Sequence, residues 1–157
     1  MELSENAIKH SLGVAKFMAE YVQTHKDITG DPYEYYVIGL LHDIGKLYPR
    51  DPDPNGKAKY KNHAQKGGEL LKDMGFSSYK EVLHHGHPEH GYFSQKWLIL
   101  NLADLTIDYT GKKIPILSRL KSIRERYGKF SEEYEHAKAM FQVLVDNNII
   151  RENGTIR

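Results

Sequence analysis

Cysteine is absent from the 157 residues, which excludes disulfides, thiolate metal sites and cysteine nucleophiles. Long apolar runs are missing too. The bulkiest, Trp97-Leu98-Ile99-Leu100, is broken by Asn101, far short of the ~20 residues that span a bilayer. No sign of charge dominates, since 22 Lys and Arg nearly balance 21 Asp and Glu for a net +1, so bulk electrostatics names no partner. The first residues, Met1-Glu2-Leu3-Ser4-Glu5, are acidic and lack an apolar core. They argue against a signal peptide and lead to the expectation of a cytoplasmic protein with no membrane partner. Repeats, low-complexity tracts and long linkers are lacking. A chain of this length buries roughly 70% of its unfolded surface, so a single domain over 1–157 is expected. What the sequence has in excess is histidine, with nine.

Apolar residues recur at helical spacing and nowhere in a sustained period of two, which predicts an all-α bundle of six or seven helices. The first runs from about Glu5 to Thr24 with Ser4 as cap, and the second from about 32 to 47 with Pro32 at its start. Residues 49–61, with Pro49, Pro52, Pro54 and Gly56, read as a loop. The third spans about 62–75 and the fourth about 78–86, each opened by a capping box, Asn62 with Gln65 and Ser78 with Glu81. The fifth follows Ser94 to about 109, the sixth covers 118–127 and the seventh 131–147 with acids in its first turn.

Histidines and aspartates fall at telling places on this pattern. His10, Val14, Phe17 and Tyr21 form one stripe on the first helix, so His10 is a polar group on an apolar face. Taken alone it reads as a core histidine bonded to a carbonyl or carboxylate. His42 and Asp43 are adjacent inside the run Leu40-Leu41-His42-Asp43-Ile44-Gly45-Lys46. On a helix they would point about 100° apart and could grip an ion beside the axis. Gly39 would leave room for a ligand, and Lys46 adds a cation one turn on. A surface Asp–Lys pair is the bland alternative, and the surrounding leucines and isoleucine speak against it. His63 heads a row with Gly67, Leu70 and Met74, read as inward-facing. Asp104 lies on the apolar row of Trp97, Leu100, Asn101 and Ile107, where a lone carboxylate must find a cation or bond Asn101 or a backbone NH. Asp108, one turn later, competes with it. His84-His85-Gly86-His87-Pro88-Glu89-His90 puts four histidines in seven positions, some of them expected in solvent. His25 and His136 read as surface residues.

Each residue has a bland explanation, but one shared cause covers His10, His42, Asp43, His63, His84 or His85, and Asp104 together: metal. Imidazole and carboxylate without thiolate suit iron, manganese, zinc, nickel or cobalt. The set is large enough for two ions with Asp43 as a bridge, an arrangement that serves phosphoryl transfer.

At this point the residues resemble a family. His10, the Leu41-His42-Asp43-Ile44-Gly45-Lys46 run and Leu102-Ala103-Asp104 are similar to the H…HD…D signature of the HD-domain metal-dependent phosphohydrolases. The resemblance implies an all-α domain in which His10, His42, Asp43 and Asp104 hold a first ion. By the same resemblance His63 and the His84-His85 pair match the extra histidines of two-metal members, with Asp43 bridging. The two-metal pattern is similar to that of cyclic-dinucleotide phosphodiesterases and small diadenosine-tetraphosphate hydrolases. The segment after His85 departs from the cyclic-di-GMP subgroup, lacking its acidic residue and carrying Phe93 where proline would stand.

The expected activity is therefore hydrolysis of a phosphoester or phosphoanhydride in a nucleotide or other small phosphorylated metabolite. The cofactor would be one or two divalent ions (Fe, Mn, Ni, Co, Zn or Mg), and a metal-bound hydroxide would attack phosphorus in line. Asp43 and Lys46 are the expected catalytic groups, with Lys46 neutralising the transferred phosphoryl. Residues 109–130 carry seven cations against the acid Glu125. Arg119 is the first candidate among them to bind substrate phosphate. No interleaved aromatics accompany them, which argues against nucleic acid. Two alternatives keep the same site: a di-iron oxygenase of HD type, and a regulatory module that retains metal structurally.

Overall fold

The computed structural model describes residues 2–48 and 62–157. Over these described residues it is all-helical, as the spacing predicts, with seven α-helices and two short 3₁₀ turns. Helix α1 is Glu5–Thr24, α2 Pro32–Leu41, α3 His63–Asp73, α4 Tyr79–Leu83, α5 Gln95–Thr106, α6 Ile116–Tyr127 and α7 Glu132–Asp146. Among the described residues no helix is long and apolar enough to cross a membrane. The expected loop at 49–61 lies outside the described residues.

Helix starts follow side-chain chemistry. Ser4 accepts from the Ala7 NH at 3.1 Å, Asp31 from Tyr33 at 3.0 Å and Ser94 from Trp97 at 3.0 Å. Each satisfies one of the NH groups that a first turn leaves open. The two capping boxes do not form. Asn62 and Ser78 make no side-chain cap bond; Gln65 turns to Glu69 at 3.1 Å. Glu81 is buried and accepts from the Tyr92 hydroxyl at 3.1 Å and the Ser94 hydroxyl at 3.2 Å. Burial of the Glu81 carboxylate therefore draws it to tertiary donors instead of its own helix end.

Helix α5 is buried on nearly every face, from Trp97 through Thr106, as expected of a helix apolar all round. Val14 and Met18 of α1, Ile38 of α2, Ile116 of α6, and Met140 and Leu144 of α7 join the same cluster. This central helix stops at Thr106, short of the expected 109. Ile107 instead pairs across an isolated antiparallel bridge with Lys113, and Asp108 closes the intervening turn on the Thr110 and Lys112 NH groups at 2.8 and 3.0 Å.

Two glycines set the distances that build the site. Gly39 does not leave room for a ligand; a Cβ there would stand 2.7 Å from the Ala15 Cα, so Gly39 is where α2 crosses α1. Gly45 has the same role on the other side, since a Cβ would collide with the His63 carbonyl and stand 2.8 Å from the Gly67 nitrogen. On α3 the inward face is accordingly Ala64, Gly67, Gly68 and Leu71. Met74, expected inward, is 70% exposed.

Candidate metal centre

The second helix, expected to run to 47, ends at Leu41 and resumes as a 3₁₀ turn over Ile44–Leu47. Its break is made by His42, whose Nδ1 bonds the Gly39 carbonyl at 2.6 Å. Asp43 follows at φ −105°, ψ 19°, the bridge region common in active sites. His42 and Asp43 thus converge on one point through a turn and not from a continuous helix. The Gly45 contact then presses the turn onto α3 and brings His63 alongside Asp43.

Five further side chains surround Asp43, itself 3% exposed. Its Oδ2 lies 3.0 Å from Lys46 Nζ, 3.3 Å from His42 Nε2 and 3.8 Å from His10 Nε2. Its Oδ1 faces His63 Nε2 at 3.3 Å and His85 Nε2 at 3.4 Å. Asp104 closes the first group, with Oδ1 at 2.8 Å from His10 Nε2 and 3.3 Å from His42 Nε2. Asp104 wins over Asp108, whose carboxylate is spent in its own turn while its carbonyl bonds His10 Nδ1 at 2.9 Å.

The imidazoles are oriented by one repeated device. His10, His42 and His85 each place Nδ1 on a backbone carbonyl, of Asp108, Gly39 and Val82 respectively, at 2.9, 2.6 and 2.6 Å. A carbonyl only accepts, so Nδ1 carries the proton and Nε2 is the nitrogen directed at the carboxylates. That is how metal-ligating histidines are held. His42 Nε2 is buried and makes no hydrogen bond among the described residues, although two carboxylates stand 3.3 Å away. An orphaned nitrogen between anions fits a cation. Two triads, His10–His42–Asp104 and His42–Asp43–His85, bring donor atoms within 4.8 Å of one another.

Electrostatics follow from the burial of like charges. For both carboxylates burial opposes ionisation. The charges of His42 and Lys46 with bonds from His63 and His85 overcome it for Asp43, and the bond from His10 with the nearby imidazoles of His42 and His10 does so for Asp104. Both stay well below the usual carboxylate range. Burial opposes charge on His10 and His85 as well, but the bond and charge of Asp104 and of Asp43 respectively raise each above 6.5. Lys46 is raised in the same way, desolvation being outweighed by Asp43. The pocket therefore attracts positive charge, whether protons or ions.

Of the sequence-predicted residues, His10, His42, Asp43, Lys46, His63, His85 and Asp104 are brought together. His84 is not. Its ring stacks on Tyr92 at 4.9 Å and its Nδ1 faces His90 Nδ1 at 3.0 Å, because the turn that sends His85 inward sends its neighbour out. Arg119, on α6, stands beside Asp108, its Nε buried without a hydrogen bond among the described residues. Asn101 was not expected to matter here. Instead of bonding Asp104, it accepts from the Gly86 NH at 2.7 Å and donates to the Trp97 carbonyl at 2.8 Å. Trp97 Nε1 donates to the His84 carbonyl at 2.9 Å. Together they hold the 84–86 turn that presents His85. The available signal was Asn101 itself, a polar residue inside an apolar helix that had to find partners.

Fold and site define an all-α protein with a buried imidazole–carboxylate centre suited to divalent ions. The family model for the HD domain matches residues 7–124, and the chain belongs to that family, a metal-dependent hydrolase superfamily whose members are generally phosphohydrolases. No curated protein and no solved structure matches the chain.

Proposed function

We propose that this protein hydrolyses a phosphoester or phosphoanhydride of a nucleotide or similar small phosphorylated metabolite, at a centre of two divalent ions bridged by Asp43. The observation that carries the reading is the division of Asp43: Oδ2 belongs with His10, His42 and Asp104, and Oδ1 with His63 and His85. The His10, His42 and Asp104 side chains would hold one ion and His63 and His85 the other, with one Asp43 oxygen toward each. Divalent ions so held polarise phosphoryl oxygens and acidify water.

The chain's own groups supply the rest. Lys46, paired with Asp43 at 3.0 Å and with its side chain 25% exposed, is kept charged by that carboxylate and would neutralise phosphoryl oxygens. Tyr127, at the end of α6, is close enough to Lys46 to influence its charge, so α6 borders the site. From that helix Arg119 would bind a substrate phosphate through its guanidinium fork. Lys46 beside the carboxylates favours phosphate chemistry over oxygenation, which needs no fixed cation there.

The test is phosphate release from a panel of nucleotides and model phosphoesters with Mn, Fe, Co, Ni, Zn and Mg. Release with at least one ion is expected, falling by more than about a thousandfold in Asp43→Ala. Silence with every ion would overturn the reading, and strict dependence on iron and oxygen would replace it with the oxygenase.

A further inference from the structure

A second group of metal-ligating side chains lies outside the centre around Asp43. His87 and Glu89 belong to the loop and 3₁₀ turn after His85, and His136 comes from α7. His87 Nδ1 bonds Glu89 Oε1 at 2.6 Å, and His136 Nε2 approaches the same oxygen at 3.4 Å. One donor atom from each lies within 4.8 Å of the others. His90 adds to the group: its ring stacks on His87 at 4.7 Å, and its Nε2 is 3.9 Å from Glu89 Oε1.

We propose that His87, Glu89 and His136 form a separate zinc-class cation site that clips the loop after His85 to α7. Two imidazoles and one carboxylate make a known zinc donor set, with a fourth position left for water or His90. Zinc–nitrogen and zinc–oxygen bonds of about 2.0–2.2 Å put tetrahedral ligands roughly 3.3 Å apart. The His136–Glu89 separation of 3.4 Å already has that value. The shorter His87–Glu89 bond opens by less than an ångström to match, which Glu89 can allow because its side chain is 46% exposed. The His87 and His136 side chains are 30% and 35% exposed, so an ion reaches them from solvent. His136 lies beyond the residues matched by the family model, so this site is not part of what defines the family.

Zinc binding by equilibrium dialysis followed by elemental analysis tests the proposal on the intact protein. Wild type is expected to bind one equivalent of Zn²⁺ more than His136→Ala or the near-isosteric Glu89→Gln. In an Asp43→Ala/Asp104→Ala background, which takes both carboxylates from the other centre, one equivalent should remain and disappear when His136→Ala is added. Zn²⁺ should likewise raise the unfolding temperature of Asp43→Ala/Asp104→Ala and leave the same variant carrying His136→Ala unmoved. Equal stoichiometry in wild type and both surface variants would overturn the site. So would a dissociation constant weaker than roughly 100 μM, the mark of incidental binding by surface histidines. Neither surface variant touches the groups around Asp43, so failure here and failure of the phosphohydrolase reading are separately visible.

Discussion

Asn101 has the most to teach at the scale of single residues, because it acts on the centre without touching it. Replacing it by leucine removes the acceptor of the Gly86 NH at 2.7 Å and loosens the turn that presents His85. Leaving that group unpaired costs about 1–3 kcal/mol, read as a lower unfolding temperature. Loss of an outer support of this kind weakens metal affinity by about 10–100-fold, measurable by competition with a chelator. The titrating groups yield a second expectation. His10 and His85 are raised above 6.5, so their contribution to metal-free stability is complete below that pH and is lost as pH rises through their folded values. Asp43 and Asp104 are depressed below 3.8; their contribution is present above that pH and is lost as pH falls through their folded values. Urea denaturation with chelator present should therefore show greatest stability between these limits. Divalent ions should abolish the alkaline decline, because deprotonated imidazoles then find a cation.

Elements meet here through missing side chains. The Gly45 approach to the His63 carbonyl decides how far the 3₁₀ turn lies from α3, and hence whether Asp43 Oδ1 reaches His63. Gly45→Ala is expected to cost about 1–3 kcal/mol through overpacking. On the two-ion reading proposed above, it should also reduce the affinity for the ion that His63 would hold, seen as altered stoichiometry alongside the lower melting point. The sequence shows Gly45 plainly, yet its purpose is hidden, since its neighbour in space is 18 positions away at His63. The same holds for the break after Leu41. Helical spacing continues through Lys46, and only the bond from His42 to the Gly39 carbonyl turns the chain.

At the scale of the whole molecule, α7 and α5 share one core, with Leu144 and Leu100 both fully buried. A shared core predicts one cooperative unfolding transition. The chain's one tryptophan, Trp97, is 2% exposed on α5 and reports on it by fluorescence. Leu144→Ala should destabilise by about 2–5 kcal/mol and shift the fluorescence and circular-dichroism transitions together; separate transitions would show that α7 folds on its own.

Helix type and number, together with the inward residues His10, His42, Asp43 and Asp104, were legible from periodicity and composition, because an imidazole or carboxylate on an apolar face signals burial in any fold. Local chemistry also foretold the starts of α1, α2, α5 and α7. Tertiary structure alone settled which histidine of the His84-His85 pair turns inward and that Asp108 meets His10 through its carbonyl and not its carboxylate. It alone joined His136 to Glu89, and it set the ends of α2 and α5. Those outcomes rest on contacts between elements distant along the chain, made by backbone carbonyls and glycine surfaces that leave no periodic trace in the order of amino acids.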